Sequence, residues 1–240
     1  MPSSERSWQR WLIAGFSAAI GVGLLVYPYL MEGLLARFGV RASCGFLLVV
    51  SIVSIALGGR ARSAVGVPGW PGLAIAAALG VGVLSGQRAV LLLVPAIVYL
   101  GVADFFRRSL AREDSILERG VRLMLPVAPD FIRSYCRGIT WLWAALLAAS
   151  AVAIAVLALA GPAAAWQAVT GWGIYALMLV VSGIEFFVRK TWFRYYFHGG
   201  PFDRLWSRLF PAENTEEGRR SAEYIRRFRE QAAQSARVRG

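Results

Sequence analysis

A single histidine, two cysteines and one lysine among 26 basic residues set the first limits on this chain. A zinc site needs several histidine, cysteine or carboxylate ligands at matched spacing. His198 stands alone in a glycine-flanked aromatic segment, which argues against that chemistry. No Walker-type phosphate loop, nucleophile elbow or pair of acids in a polar pocket appears. The glycine pairs in AAIGVGLL and AALGVGVL lie inside apolar runs with no strand before them, so they serve close helix packing rather than dinucleotide binding. No cofactor is expected. An enzyme built on this chain would draw its catalytic group from Asp104, Asp130, Tyr135, Cys136, Glu185 or His198, and so short a set disfavours catalysis.

Charge is scarce as well. Only 17% of residues are charged against 57% hydrophobic, and the mean hydropathy is +0.54; soluble domains carry about 25% charge. Long apolar runs stand in its place. A helix needs about 20 apolar residues to cross the hydrocarbon core, and six runs qualify: 11–30, 42–59, 64–85, 89–106, 140–160 and 163–188. None alternates like a barrel strand. The expected fold is an all-α membrane protein, six transmembrane helices with amphipathic interfacial helices on the cytoplasmic side. Residues 1–188 form the span domain and 189–240 a basic cytoplasmic tail. The basic start and apolar run of residues 1–30 resemble a signal peptide, but the run is long and more spans follow, so it reads as an anchor.

Orientation follows from the arginines outside the spans. With both termini in the cytoplasm, 23 of the 26 basic residues lie inside and three, Arg37, Arg41 and Arg88, outside. That satisfies the positive-inside rule. A net charge of +12 would suggest nucleic acid in a soluble protein. Here it retains topology and meets anionic inner-leaflet lipid, so no nucleic acid partner is expected. Cys44 and Cys136 fall on opposite sides of the membrane, which excludes a disulfide between them.

Local signals fill in the connections. Tyr27-Pro28-Tyr29 is expected to kink or end the first span, residues 32–41 to form a short outer connection, and residues 58–63 a tight inner turn. VPGWPG, at 67–72, reads as an irregular interfacial start to the third span. In the cytoplasmic loop 107–139, Ile116, Leu117, Val121 and Met124 recur at helical spacing, predicting an interfacial helix ended by Pro126 and Pro129. Asp130 would then cap a helix leading into the fifth span, and Gly161-Pro162 would turn the fifth span into the sixth. In the tail, Phe202, Leu205, Trp206, Leu209 and Phe210 share one helical face opposite Arg204 and Arg208. That spacing predicts an in-plane helix over 201–210 rather than a base-stacking surface. A final helix is expected to start at Asn214 or Thr215.

Two acids lie within the spans, both near the inner leaflet and both followed by Phe-Phe. Asp104 precedes Arg108 by four residues and Glu185 precedes Arg189 by four. Intramembrane carboxylates are candidate proton or cation sites, but at this spacing each pairs along its own helix, and pairing is the preferred reading.

Short patches, clearest over residues 133–143, carry a family resemblance. Tyr27-Pro28, Phe106 with Ser109-Leu110, Glu118-Arg119, Tyr135-Cys136-Arg137 with Thr140 and Trp143, then Trp166, Tyr175, and Glu185 with Arg189 resemble uncharacterised bacterial inner-membrane proteins. Those proteins are encoded beside type II fatty-acid-synthase-like genes for aryl polyene pigments. GPFDRLW in the tail also looks like a closing motif of another multispan family. The first resemblance implies a bacterial inner-membrane location and a lipid-biosynthesis context, with no activity established for that group. The leading expectation is an accessory protein docking an acidic acyl carrier protein or synthase subunits, with lipid or partner contacts at Arg107, Arg112, Arg119, Arg122, Arg133, Arg137, Arg204 and Trp206. The alternatives are a small transporter or exporter using Asp104 and Glu185 with Arg108 and Arg189, and a membrane acyl- or glycosyl-transfer enzyme.

Overall fold

The computed structural model describes the backbone of residues 3–65, 69–124 and 131–192, with scattered positions from Leu205 to Glu230. Among the described residues every regular element is helical. The order is α1 (Ser3–Val65), α2 (Trp70–Ser85), α3 (Arg88–Leu110), α4 (Ile116–Met124), α5 (Phe131–Ala160), α6 (Ala163–Ala168), a π-helical turn (Val169–Gly173) and α7 (Ile174–Trp192). By length and composition four helices can cross a membrane: Val26–Leu57, Arg88–Leu110, Ile132–Ala160 and Ala163–Arg189. Trp70–Ser85 is a shorter apolar helix. The chain divides into two compact units, Met1–Tyr175 and Ala176–Gly240.

In the first unit, α1 is two helical arms meeting at Gly39, whose φ of 74° and ψ of 174° are non-helical. Side-chain contacts show that the chain turns back there. The Tyr27 hydroxyl donates to the Leu91 carbonyl at 2.8 Å. Cys44 packs so tightly on Gly82 that a Cβ there would stand 2.5 Å from its Sγ and 3.3 Å from Val90, next to Leu91. A straight helix would separate residues 27 and 44 by about 25 Å. Met31 and Cys44, one from each arm, instead share a buried cluster with Leu79 and Leu91.

Several expected boundaries are corrected. The first arm continues through Pro28, so neither an end at Tyr27-Pro28-Tyr29 nor a connection over 32–41 exists; the reversal is at Gly39 alone. Proline removes one N–H and frees one carbonyl, which a helix in an apolar, well-packed setting tolerates. Residues 58–63 are helical rather than a turn, and α1 runs to Val65. The third apolar run therefore begins as a helix at Trp70, with Gly69 before it and Pro71 in its first turn, not at residue 64. Pro126, Pro129 and Asp130, expected to end one helix and cap the next, lie outside the described residues. So does most of the expected 201–210 helix, of which Leu205, Arg208 and Leu209 are described and helical.

A second proline explains the next layer of packing. Pro95 lies inside α3 and has no N–H for the carbonyl of Leu91, four residues back. Tyr27 supplies the missing donor, and one residue on, Trp166 Nε1 donates to the Leu92 carbonyl at 3.2 Å. α1 and α6 are thus fastened to the opening turns of α3. Gln167 Nε2 adds a bond to Glu32 at 3.3 Å. The π turn follows α6 and begins three residues after Trp166. It carries Gly171, where a Cβ would lie 3.1 Å from the Tyr29 hydroxyl, so the absent side chain admits α1. Gly161-Pro162 separates α5 from α6 as expected.

α3 lies along α5 as the most extensive helix pair. Ala103 and Leu110 on α3 and Ala144, Leu147 and Ile154 on α5 are buried. α2 crosses α3 where Gly101 faces Pro71, with room for no Cβ. Large apolar side chains point outward on α1, α2 and α5, among them Phe46, Val53, Leu57, Leu84, Val152 and Leu159. Outward-facing aliphatic rows of this kind suit lipid rather than water as solvent. The second unit comprises the rest of α7 and the tail. At every described residue from Glu216 to Glu230 the tail is helical, with Glu216 paired to Arg220 and Glu223 to Arg227.

Candidate functional site

Asp104 sits one and a half turns before the end of α3, with its side chain 13% exposed. Its expected partner is in place: Arg108 Nε donates to Oδ2 at 2.7 Å. Two further donors join it. Arg107 approaches Oδ1 through its Nε at 3.2 Å and an Nη at 2.8 Å, and Trp70 Nε1 donates to Oδ2 at 2.9 Å. The Trp70 bond crosses from the first turn of α2 to α3, a partner 34 residues away that helical spacing has no means of indicating. With four donating nitrogens the carboxylate is fixed in place.

Beside this cluster lies a groove of about 420 Å³ between α2, α3 and α5. Asp104, Arg107 and Arg108 close one end. Trp70, Leu100 and Trp141 flank it, and its floor is the alanine face of α5, including Ala145 and Ala148. The lining is mostly apolar, with one charged end.

Glu185 repeats the motif in the second unit. Arg189 Nε donates to its Oε1 at 3.0 Å, and the same guanidinium lies 5.7 Å from the centre of the Phe186 ring. The Phe-Phe pair after each acid packs edge to face, with centroids 6.2 Å apart at Phe105 and Phe106 and 6.1 Å apart at Phe186 and Phe187.

The segment after α3 is built, not slack. Ser109 Oγ donates to the Phe106 carbonyl at 2.6 Å and accepts from the Ile116 N–H at 3.4 Å. Ser115, fully buried, accepts from the Glu118 N–H at 3.3 Å, the capping half of a Ser-x-x-Glu box. Glu118 is itself buried and lies 3.9 Å from Arg133 of α5. Arg133 also donates to the Glu113 carbonyl, and Arg137 donates to the Leu110 carbonyl at 2.8 Å, closing the C-terminus of α3.

Two of the arginines expected to face a partner therefore bind this chain's own backbone. Arg107, Arg108, Arg112 and Arg119 are exposed. The side chains of Arg122, Arg204 and Trp206 lie outside the described residues. The buried Glu118 and its Ser115 cap were not among the expected site residues, although Ser115 and Glu118 at that spacing are a legible signal. No group of three metal-binding side chains occurs among the described residues.

In comparisons with known proteins, no family model, no curated protein and no solved structure matches this chain.

Proposed function

We propose that this chain is an inner-membrane accessory protein whose basic cytoplasmic face receives an acidic component of lipid-biosynthesis machinery, an acyl carrier protein in the first instance. The proposed topology has six spans and cytoplasmic termini. In it α1 contributes two spans that meet at Gly39, followed by α2, α3, α5 and the run from α6 through α7. Trp70, Asp104, Trp141 and the clamped 107–119 segment then lie at the cytoplasmic end, opposite the turns at Gly39, Gly86 and Gly161. The arginine count supports this orientation.

The observation that carries the docking reading is the clamp. Arg107, Arg108, Arg112 and Arg119 are exposed on a segment held by Ser109, Ser115, Arg133 and Arg137, so the charges are presented on fixed backbone. A fixed basic surface steers an acidic partner and loses less entropy on binding than a floppy one. The acyl carrier protein follows from the family resemblance and from the acidic character of such carriers. Use of Asp104 as a transported-ion or proton site is less well supported, because its oxygens already accept bonds from Trp70, Arg107 and Arg108.

The test is a binding titration between the protein in nanodiscs and purified acyl carrier protein. The double reversal R112E/R119E is expected to weaken binding at least tenfold at low salt, and 0.5 M salt to weaken the unmodified protein similarly, because exposed pairs are screened. Equal affinity for the two proteins would remove the docking reading.

A further inference from the structure

We infer that the groove between α2, α3 and α5 is a seat for one anionic phospholipid, with its phosphate at Arg107 and Arg108 and one acyl chain laid along the alanine face of α5. This inference stands apart from carrier docking, which is tested at Arg112 and Arg119, further along the segment.

Three features favour this occupant. The first is charge. Asp104 carries one negative charge against two arginines, so the closed end is net positive, and Arg108 commits only its Nε to Asp104. Among the described residues no acceptor meets its terminal nitrogens. Arg107 and Arg108 are 62% and 56% exposed, so both reach outward while Asp104 holds their inner edges. A guanidinium anchored in this way is already oriented for a phosphate, for which its fork of donors is well matched.

The second is the shape and chemistry of the walls. From Trp141 to Ala148 the floor runs about 10 Å along the helix axis, at 1.5 Å per residue. That is a third of the hydrocarbon thickness of about 30 Å. The groove therefore takes the headgroup end and the upper part of one chain, and the remainder of the chain continues into the bilayer. A ligand buried over its whole length would need a closed cavity. Alanines along α5 make the depression, because larger side chains at 145 and 148 would fill it.

The third is the pair of tryptophans at its mouth. Trp141 is 58% exposed and lines the groove together with Trp70. Indoles at this depth mark the headgroup boundary. They place the arginine end at the level where a phosphate resides, and the Trp70 bond to Asp104 sets the height of the charged end against that boundary. Arginines merely exposed on a loop would lack both the apolar wall and this register.

The experiment is native mass spectrometry of the full-length protein released from micelles containing equal phosphatidylglycerol and phosphatidylcholine. The unmodified protein is expected to retain one phosphatidylglycerol in at least fivefold preference. R107Q/R108Q is expected to abolish the preference while leaving total lipid adducts similar. A148F, which fills the groove and leaves all charges in place, is expected to reduce the specific adduct by at least fivefold, with helicity by circular dichroism unchanged. R112E/R119E is expected to keep the preference, which separates this site from carrier docking. Equal retention of the two lipids by the unmodified protein, or a preference unaltered in both R107Q/R108Q and A148F, would overturn the assignment.

Discussion

Tyr27 and Pro95 form a pair whose energetics can be separated. Pro95 deprives the Leu91 carbonyl of its helical donor, and the Tyr27 hydroxyl restores one at 2.8 Å. Removing one partner from a buried bond costs about 1–3 kcal/mol, and double-mutant cycles in membrane proteins average nearer 0.6. Y27F is therefore expected to lower the thermal midpoint in detergent, a loss of about 1 kcal/mol. In a P95A background the new N–H can serve Leu91, and the cost of Y27F is expected to fall to near zero. Equal losses in both backgrounds would show that Tyr27 acts through packing alone. Gly82 raises the opposite problem, since any side chain there meets Cys44 at 2.5 Å. G82V is expected to destabilise by about 1–3 kcal/mol through overpacking, whereas G80A, where no atom lies within 4 Å, is expected to be neutral in the same melt.

Between elements, the decisive backbone position is Gly39. Its φ of 74° and ψ of 174° fall in a region open essentially to glycine alone. G39A is expected to weaken the pairing of the two α1 arms by at least about 1–3 kcal/mol, read as loss of protease resistance. This turn was hard to read in the sequence. Pro28 looked like the stronger interruption, yet a helix can run through a proline whose freed carbonyl is cheap to satisfy, and no neighbouring residue signals that a glycine will adopt positive φ. Apolar length and the four-residue spacings of Asp104 with Arg108 and Glu185 with Arg189 were legible because they are local. Trp70 with Asp104, and Arg133 and Arg137 with the carbonyls of Glu113 and Leu110, depend on helices brought together from 20 to 34 residues apart. Arg133 and Arg137 accordingly read as partner contacts when their work is to hold the 107–119 segment. Neutralising both is expected to raise hydrogen exchange across 111–119 at least tenfold and to leave the opposite, Gly86 end of the bundle unaffected.

At the scale of the whole molecule, long apolar helices occur with a strongly basic 107–119 segment. Outward aliphatic rows on α1, α2 and α5 suit lipid; in the proposed topology the groove at Trp70 and Trp141 meets the headgroup boundary and the clamped arginines face the cytoplasm. The docking assignment rests on which compartment the 107–119 segment occupies and what meets it there. The most direct measurement is photocrosslinking in native membranes, with a photoreactive residue at Leu123 on α4, followed by identification of what is attached. An acidic acyl carrier protein or synthase subunit, captured from the cytoplasmic side and lost in R112E/R119E, is the expected result. Lipid adducts alone, or capture of partners from the opposite side of the membrane, would contradict the docking account.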